Sequence, residues 1–255
     1  MTQYDPVKTA ARTLDVFEVF ARAKTPLTLT ELANLIGSPV SSCHALVKTL
    51  QSRGYVYVLD ERKRVYPTKR LLAAAQEIAR NDPVLERLAP VLSALLRESG
   101  ETVILGKRQG ERITYLEVLE GRHTIRYSAE PGDTKPLHSS AIGKAMLGTL
   151  REGELQKLLK KLPLASITGH TITVVDELVR DLREGRERGY FVTRGENVVE
   201  VMGVAIARSI GDEPYGLAVA GPVYRCEASL PTLVASLRKA GEALERVDAE
   251  LSGAG

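Results

Sequence analysis

The stretch TLTELANLIGSPVSSCHALVKTLQSRGYV, residues 28–56, admits few structures. Leu32, Leu35 and Ile36 lie three and four apart and predict one apolar face on a short helix from about Thr30 to Ile36. Thr28 or Thr30 can cap it, and Glu31 in its first turn complements the helix dipole. Gly37 stops that helix, because a residue there often needs positive φ. Pro39 sets the entry to a second helix, opened by Ser41 and Ser42, that carries Leu46, Val47 and Leu50 inward. His44, Ala45, Lys48 and Gln51 fall on its other faces. Gly54 ends it, and an extended run starts at Tyr55.

Two helices about a tight glycine turn form a helix-turn-helix. Its second helix can enter a DNA major groove with its N-terminal residues toward base edges. Ser41, Ser42 and His44 supply short hydrogen-bonding side chains for that task, while Lys48, Arg53 and Lys24 suit phosphates. Thr28, Thr30 and Pro39 complete the candidate DNA-binding set around the turn. The next stretch, VYVLDERKRVYP, predicts two short strands around a basic tip that includes Arg62, Lys63 and Arg64. Helix, turn, helix and basic ribbon together give the layout of a winged helix. No aromatic platform of the kind RNA modules use is visible. Charge is distributed accordingly. Residues 1–70 hold 11 lysines and arginines against 6 acids, whereas the remainder holds 24 against 26. The positive excess lies where phosphate contact with counter-ion release requires it.

Before this stretch, Val7 to Arg22 predicts a helix with Ala11, Leu14, Val16, Phe17, Val19 and Phe20 on a broad apolar face, stopped at Lys24-Thr25-Pro26. After it, TKRLLAAAQEIARN reads as a stiff helix ending at Asn81-Asp82-Pro83. Residues 83–99 predict a helix kinked at Pro90. Strands follow at 102–107, 112–119 and Thr124 to Ser128, then a loop, AEPGDTKPLH, and a helix from Ser139 or Ser140 to about Leu150. A short helix covers Glu152 to Lys160, and another, capped by Asp176, ends at Gly189. Strands at Tyr190 to Arg194, Glu200 to Ser209 and Tyr215 to Ala220 precede a last helix, Ser229 to Leu251. Hairpins interleaved with helices imply an α/β domain on a mainly antiparallel sheet. With 255 residues, the chain has room for two domains.

The helix-turn-helix, the loop and helix PLHSSAIGKAML, the GY at 189–190 and the AVAGP at 218–222 together resemble an IclR-type transcriptional regulator. The order and spacing match over essentially the whole chain. The resemblance implies an α+β multidomain protein: a winged helix-turn-helix over 1–68, a linker helix over 69–82, and a GAF-like effector-binding and oligomerisation domain over 83–255. It implies double-stranded operator DNA, a small, acidic or aromatic effector, and a homodimer or dimer of dimers. Carried over by motif position, the effector-binding residues are Ala141, Ile142, Thr193, Val201, Gly203, Ala218 and Ala220, and Ser140 at the start of the helix is a candidate polar anchor beside them. The chain departs from the family at Ala45, where an arginine is common, at Pro67-Thr68, where a Leu-Gly pair is common, and in FVTRGENVVE, where an acidic run is common.

No membrane partner is expected, since no apolar run approaches the ~20 residues of a spanning helix. Cys43 and Cys226 fall in different predicted domains, which fits a reduced, cytoplasmic protein. Histidines 123, 138 and 170 are widely spaced, with no metal-ligand pattern, and there is no Walker loop or G-x-S-x-G. Neither cofactor nor metal is expected. The competing reading, an α/β enzyme turning over a small acid near His138, lacks any triad, metal or cofactor motif.

Overall fold

The computed structural model of the chain describes residues 7–59, 63–82, 84–211 and 213–252. It divides into two units, Met1–Asp82 and Pro83–Gly255. In the first, α1 (Lys8–Ala23) buries Val16, Val19 and Phe20, spaced three and four apart. It ends at Lys24, whose left-handed backbone returns its N–H to the Phe20 carbonyl. Leu14, expected on the apolar face, is 64% exposed.

The next helix, α2 (Leu29–Leu35), begins one residue earlier than expected, because Thr28 is its cap. The Thr28 hydroxyl accepts the Glu31 N–H at 3.3 Å, and the Glu31 carboxylate accepts the Thr28 N–H at 2.7 Å. This reciprocal box satisfies donors that a helix start leaves open. Leu35, expected to point inward, is 57% exposed, and Ala33 is buried beside Leu32 instead. At about 100° per residue, Leu32, Ala33 and Ile36 share one narrow arc and Leu35 falls outside it. The second helix of the motif, α3 (Val40–Ser52), buries Cys43, Val47 and Leu50. β1 (Val56–Val58) and β2 (Val65–Pro67) pair antiparallel, and Leu27 bridges to Val65. The expected helix after the ribbon is α4 (Arg70–Arg80), which buries none of its residues.

The second unit is built on a sheet whose strand order is β5-β4-β3-β8-β7-β6, antiparallel throughout. In chain order these are β3 (Thr102–Gln109), β4 (Arg112–Leu119), β5 (Thr134–Pro136), β6 (Phe191–Arg194), β7 (Val201–Ile210) and β8 (Glu213–Pro222). Side chains alternate between faces with period two. Val103, Leu105, Val204 and Ile206 face α5 (Leu85–Ser99) and α10 (Leu230–Ser252). Ile104, Ala205, Ala218 and Ala220 join the opposite core, with α6 (Ala141–Gly148), α7 (Glu152–Leu159) and α8 (Val175–Arg188).

Two expectations need correction here. Residues 124–128 form no strand; the strand lies later, at β5, inside the expected loop. Gly132, at φ 91, turns the chain back so that 134–136 pair with Arg112 to Thr114 of β4. Residues 120–128 are instead tied by side chains: Arg126 and Ser128 to Glu120, and the Tyr127 carbonyl to Thr102. Asp176 lies within the first turn of α8 and does not cap it; Val174 holds that position. Finally, α9 (Val223–Ala228) is a short helix that no periodicity signalled.

Candidate DNA-binding surface and ligand cavity

On α3, Ser41, His44, Ala45 and Lys48 are exposed, as are Pro39 at its start and Arg53 at its end. Positions 41, 44, 45 and 48 share one face of a helix with 3.6 residues per turn. Ser42 is half-buried on the flank, bordering a groove with Thr9 and Arg12 of α1. Thr30 is exposed on α2, while the Thr28 hydroxyl is engaged in the cap. The ribbon presents Lys63, exposed at φ 53, and half-buried Arg64, whose carbonyl accepts the Leu59 N–H at 2.8 Å. Arg62 lies outside the described residues. A basic, hydrogen-bonding helix face beside a two-stranded ribbon is a surface that can meet phosphates and base edges.

In the second unit, all eight positions named from the sequence border one cavity of about 40 Å³: Ser140, Ala141, Ile142, Thr193, Val201, Gly203, Ala218 and Ala220. Sequence reasoning missed Ile104, Tyr115, Tyr127, Asn197 and Val198, which complete its lining. The register explains Ile104, which pairs with Ala218 across β3 and β8. The sheet floor is open because its residues are small. Gly203 pairs with Thr193, and a Cβ there would stand 3.0 Å from the Ala141 Cβ and 3.1 Å from Thr193 Oγ1. The helix above is held close by Gly143, where a Cβ would meet the Leu137 carbonyl oxygen at 2.3 Å.

Among the described residues, no side chain lining the cavity is charged. Ser140 caps α6, accepting the Gly143 N–H at 3.1 Å and donating to the Pro136 carbonyl at 2.7 Å. Asn197 donates to Ser139 Oγ at 3.0 Å. Burial, then the Tyr127 hydroxyl beside it, push the Tyr115 phenol upward and keep it neutral. Thr193 is only 6% exposed, and its hydroxyl has no hydrogen-bond partner among the described residues. Thr193 Oγ1 and the first turn of α6 therefore converge on the space over Gly203. The site can hold an apolar body with one hydrogen-bond-accepting head.

His138 is buried outside this lining, with Nε2 donating to the Ala165 carbonyl at 3.0 Å, and desolvation lowers its pKa. Cys226 is buried and pushed up to about 12, chiefly by desolvation, so it is an unreactive thiol at neutral pH. Among the described residues no group of acidic, histidine and cysteine side chains could hold a metal ion. No helix among them is long and apolar enough to cross a membrane.

A helix-turn-helix with a paired ribbon, joined to a sheet domain holding a small uncharged cavity, defines a DNA-binding regulator. The chain belongs to the IclR family of bacterial transcriptional regulators. The family's helix-turn-helix domain matches residues 9–60, and its C-terminal domain matches residues 76–246. The chain is 30% identical to the HTH-type transcriptional regulator BhcR of Paracoccus denitrificans over 86% of its length and 79% of that protein's. Its fold is similar to that of the IclR of Thermotoga maritima, with a TM-score of 0.80 and 24% identity over 94% of this chain and 98% of that one. An IclR homologue of Microbacterium hydrocarbonoxydans, solved in complex with 4-hydroxybenzoate, matches at a TM-score of 0.76 and 22% identity, over 95% and 99% of the two chains.

Proposed function

We propose that this regulator binds operator DNA as a homodimer or dimer of dimers through residues 1–68, with 69–82 as linker helix. Residues 83–255 would then bind a small effector and join the copies. One observation carries the effector reading: eight positions scattered from 140 to 220 border a single cavity whose described lining is uncharged, with the Thr193 hydroxyl among its polar groups. Its chemistry favours an apolar or aromatic molecule with one acceptor head, such as a carboxylate or carbonyl, seated on Thr193 and the start of α6. A second ionised group would find no charged partner among the described lining residues. A ring needs a cavity of roughly 150 Å³, so binding has to move the walls that the sheet does not hold, at Tyr127 and Val198. The same chemistry in the Microbacterium homologue's 4-hydroxybenzoate complex supports this class.

The DNA side of the proposal rests on Ser41, His44 and Lys48, supported by Thr28, Thr30, Pro39, Ser42, Arg53, Arg62, Lys63 and Arg64. Leu14 on α1 and Leu71 and Ile78 on α4 are exposed apolar side chains suited to a second copy. The cavity works by binding, without catalysis, and the two unpaired cysteines suit the cytoplasm. Ligand alters DNA affinity to the extent that it binds one arrangement of the units better than the other. The test is to select bound fragments from the source genome with wild-type protein, then titrate the recovered operator with Ser41→Glu. The variant keeps its melting temperature and loses at least about 100-fold in affinity, since it sets a negative charge against the polyanionic duplex. Undiminished binding removes α3 as the reading helix.

A further inference from the structure

Lys144 is 0% exposed, in the middle of α6. Its Nζ lies 2.7 Å from Glu196 Oε1 and 2.8 Å from Asp181 Oδ2 of α8. The first contact is a hydrogen bond; the second is ionic only, off the line of a hydrogen bond. Glu196 belongs to the turn 195–200, and the adjoining Asn197, Val198 and Val201 line the cavity. That turn has little regular structure of its own. Glu200 sits at φ 62, a region side-chain-bearing residues avoid, and the turn's internal bonds are Gly195 N–H to the Val201 carbonyl and Val201 N–H to the Val198 carbonyl. It is fastened from outside: Thr168 and Thr171 donate to the Gly195 and Glu196 carbonyls, both at 2.6 Å.

We propose that Lys144 and Glu196 are positioning residues for the cavity, clamping its irregular wall to the helix that carries Ala141 and Ile142. This rests on the reading of the cavity as the effector site, but the clamp is defined by the protein's own contacts. A buried ammonium is retained only where it is paired. Here its pairing places the charge between one wall of the cavity and two helices, so the energy of burying it is spent on fixing the wall. The ionisable groups facing the clamp are Lys144 from α6, Asp181 from α8, Arg188 3.9 Å from Asp181, and His138 ahead of α6. His170 packs against Gly195.

Desolvation raises the Glu196 pKa and outweighs the nearby lysine. A closed turn therefore holds a proton more firmly than an open one, where the carboxyl is hydrated. The closed turn is favoured at acidic pH and loses that advantage as pH rises and Glu196 ionises. The neutral acid still accepts the Lys144 hydrogen bond through its carbonyl oxygen, and glutamine reproduces that form.

Amide hydrogen exchange on the ligand-free, full-length protein tests the clamp. Protection factors at the Gly195 and Val201 amides are compared with those at Val204 and Val219 in the sheet. Glu196→Ala and Lys144→Met each lower protection at the turn at least 10-fold and leave the sheet within threefold. Glu196→Gln retains the turn's protection and abolishes its pH dependence. Unchanged protection at the turn in Glu196→Ala overturns the proposal, as does an equal loss at turn and sheet, which marks a purely structural pair. Because no ligand enters the measurement, a failure here leaves the effector reading standing, and a cavity that binds nothing leaves the clamp standing.

Discussion

Ser41, His44 and Lys48 stand exposed on α3, over a core of Cys43, Val47 and Leu50 on the same helix. In the second unit the residues proposed to act, Ser140, Thr193 and Gly203, are themselves buried and form part of the packed structure. The first unit can therefore exchange working side chains with little effect on stability, because exposed positions carry little packing energy. The second cannot, because its working surface is the inside of its fold. Selectivity for DNA and selectivity for a small molecule are in this sense subject to different constraints within one chain.

Substitutions in the first unit separate supporting residues from reading residues. The largest effect belongs to the core that supports the reading face. Leu32→Ala, at a fully buried position, costs about 2–5 kcal/mol, measured by urea unfolding of the full chain, and DNA binding falls with it. Thr28→Ala removes the cap of α2 and half of its reciprocal box, and the same titration should register about 1 kcal/mol. If the loss appears in DNA affinity with no change in stability, Thr28 acts on DNA and the division between supporting and reading residues fails at that position. The smallest effect on folding comes from Lys48→Ala, within about 0.5 kcal/mol of wild type. Its signature lies elsewhere: the slope of log K against log salt falls by about one unit in magnitude, as for one lost phosphate contact. An unchanged slope places Lys48 away from the phosphates.

The helix-turn-helix was legible because its information is local. Apolar spacing, a threonine three residues before a glutamate's N–H, and glycines at 37 and 54 mark its ends, and both glycines take positive φ. The structure differs in the start of α2, in Leu35, which is exposed, and in Leu46, which is half-buried. Seven of the eight cavity positions are legible through resemblance alone, since alanine and glycine in strands carry no chemistry of their own, and Ser140 is legible as a polar residue at a helix start. Ile104 and Tyr115 could have been found from strand alternation and register, given the order β4-β3-β8. Tyr127, Asn197 and Val198 could not, because they lie on irregular segments placed by distant side chains. The Tyr127 segment is held by Arg225, which donates to the Ile125 carbonyl at 2.8 Å and pairs with buried Glu101. Lys144 and Glu196 are 52 residues apart, and on a helix reading GKAML the lysine looks like a solvated charge. Periodicity places a residue on a face, but pairing across such separations emerges only from the assembled sheet.

If ligand in the cavity governs DNA reading, Gly203→Val uncouples the two. Extra carbons at this position enter the space over which Thr193 and α6 converge, with Ala141 and Thr193 about 3 Å from the first of them. Operator binding by wild type and variant is titrated across a metabolite panel that includes aromatic and aliphatic monocarboxylates. The expected result is a lower urea midpoint for the variant, as its buried position requires, and, where both proteins are folded, an operator affinity within about twofold of wild type without ligand, an effector-induced change of at least about fivefold in wild type, and none in the variant. An equal change in both proteins would place the effector somewhere other than this cavity.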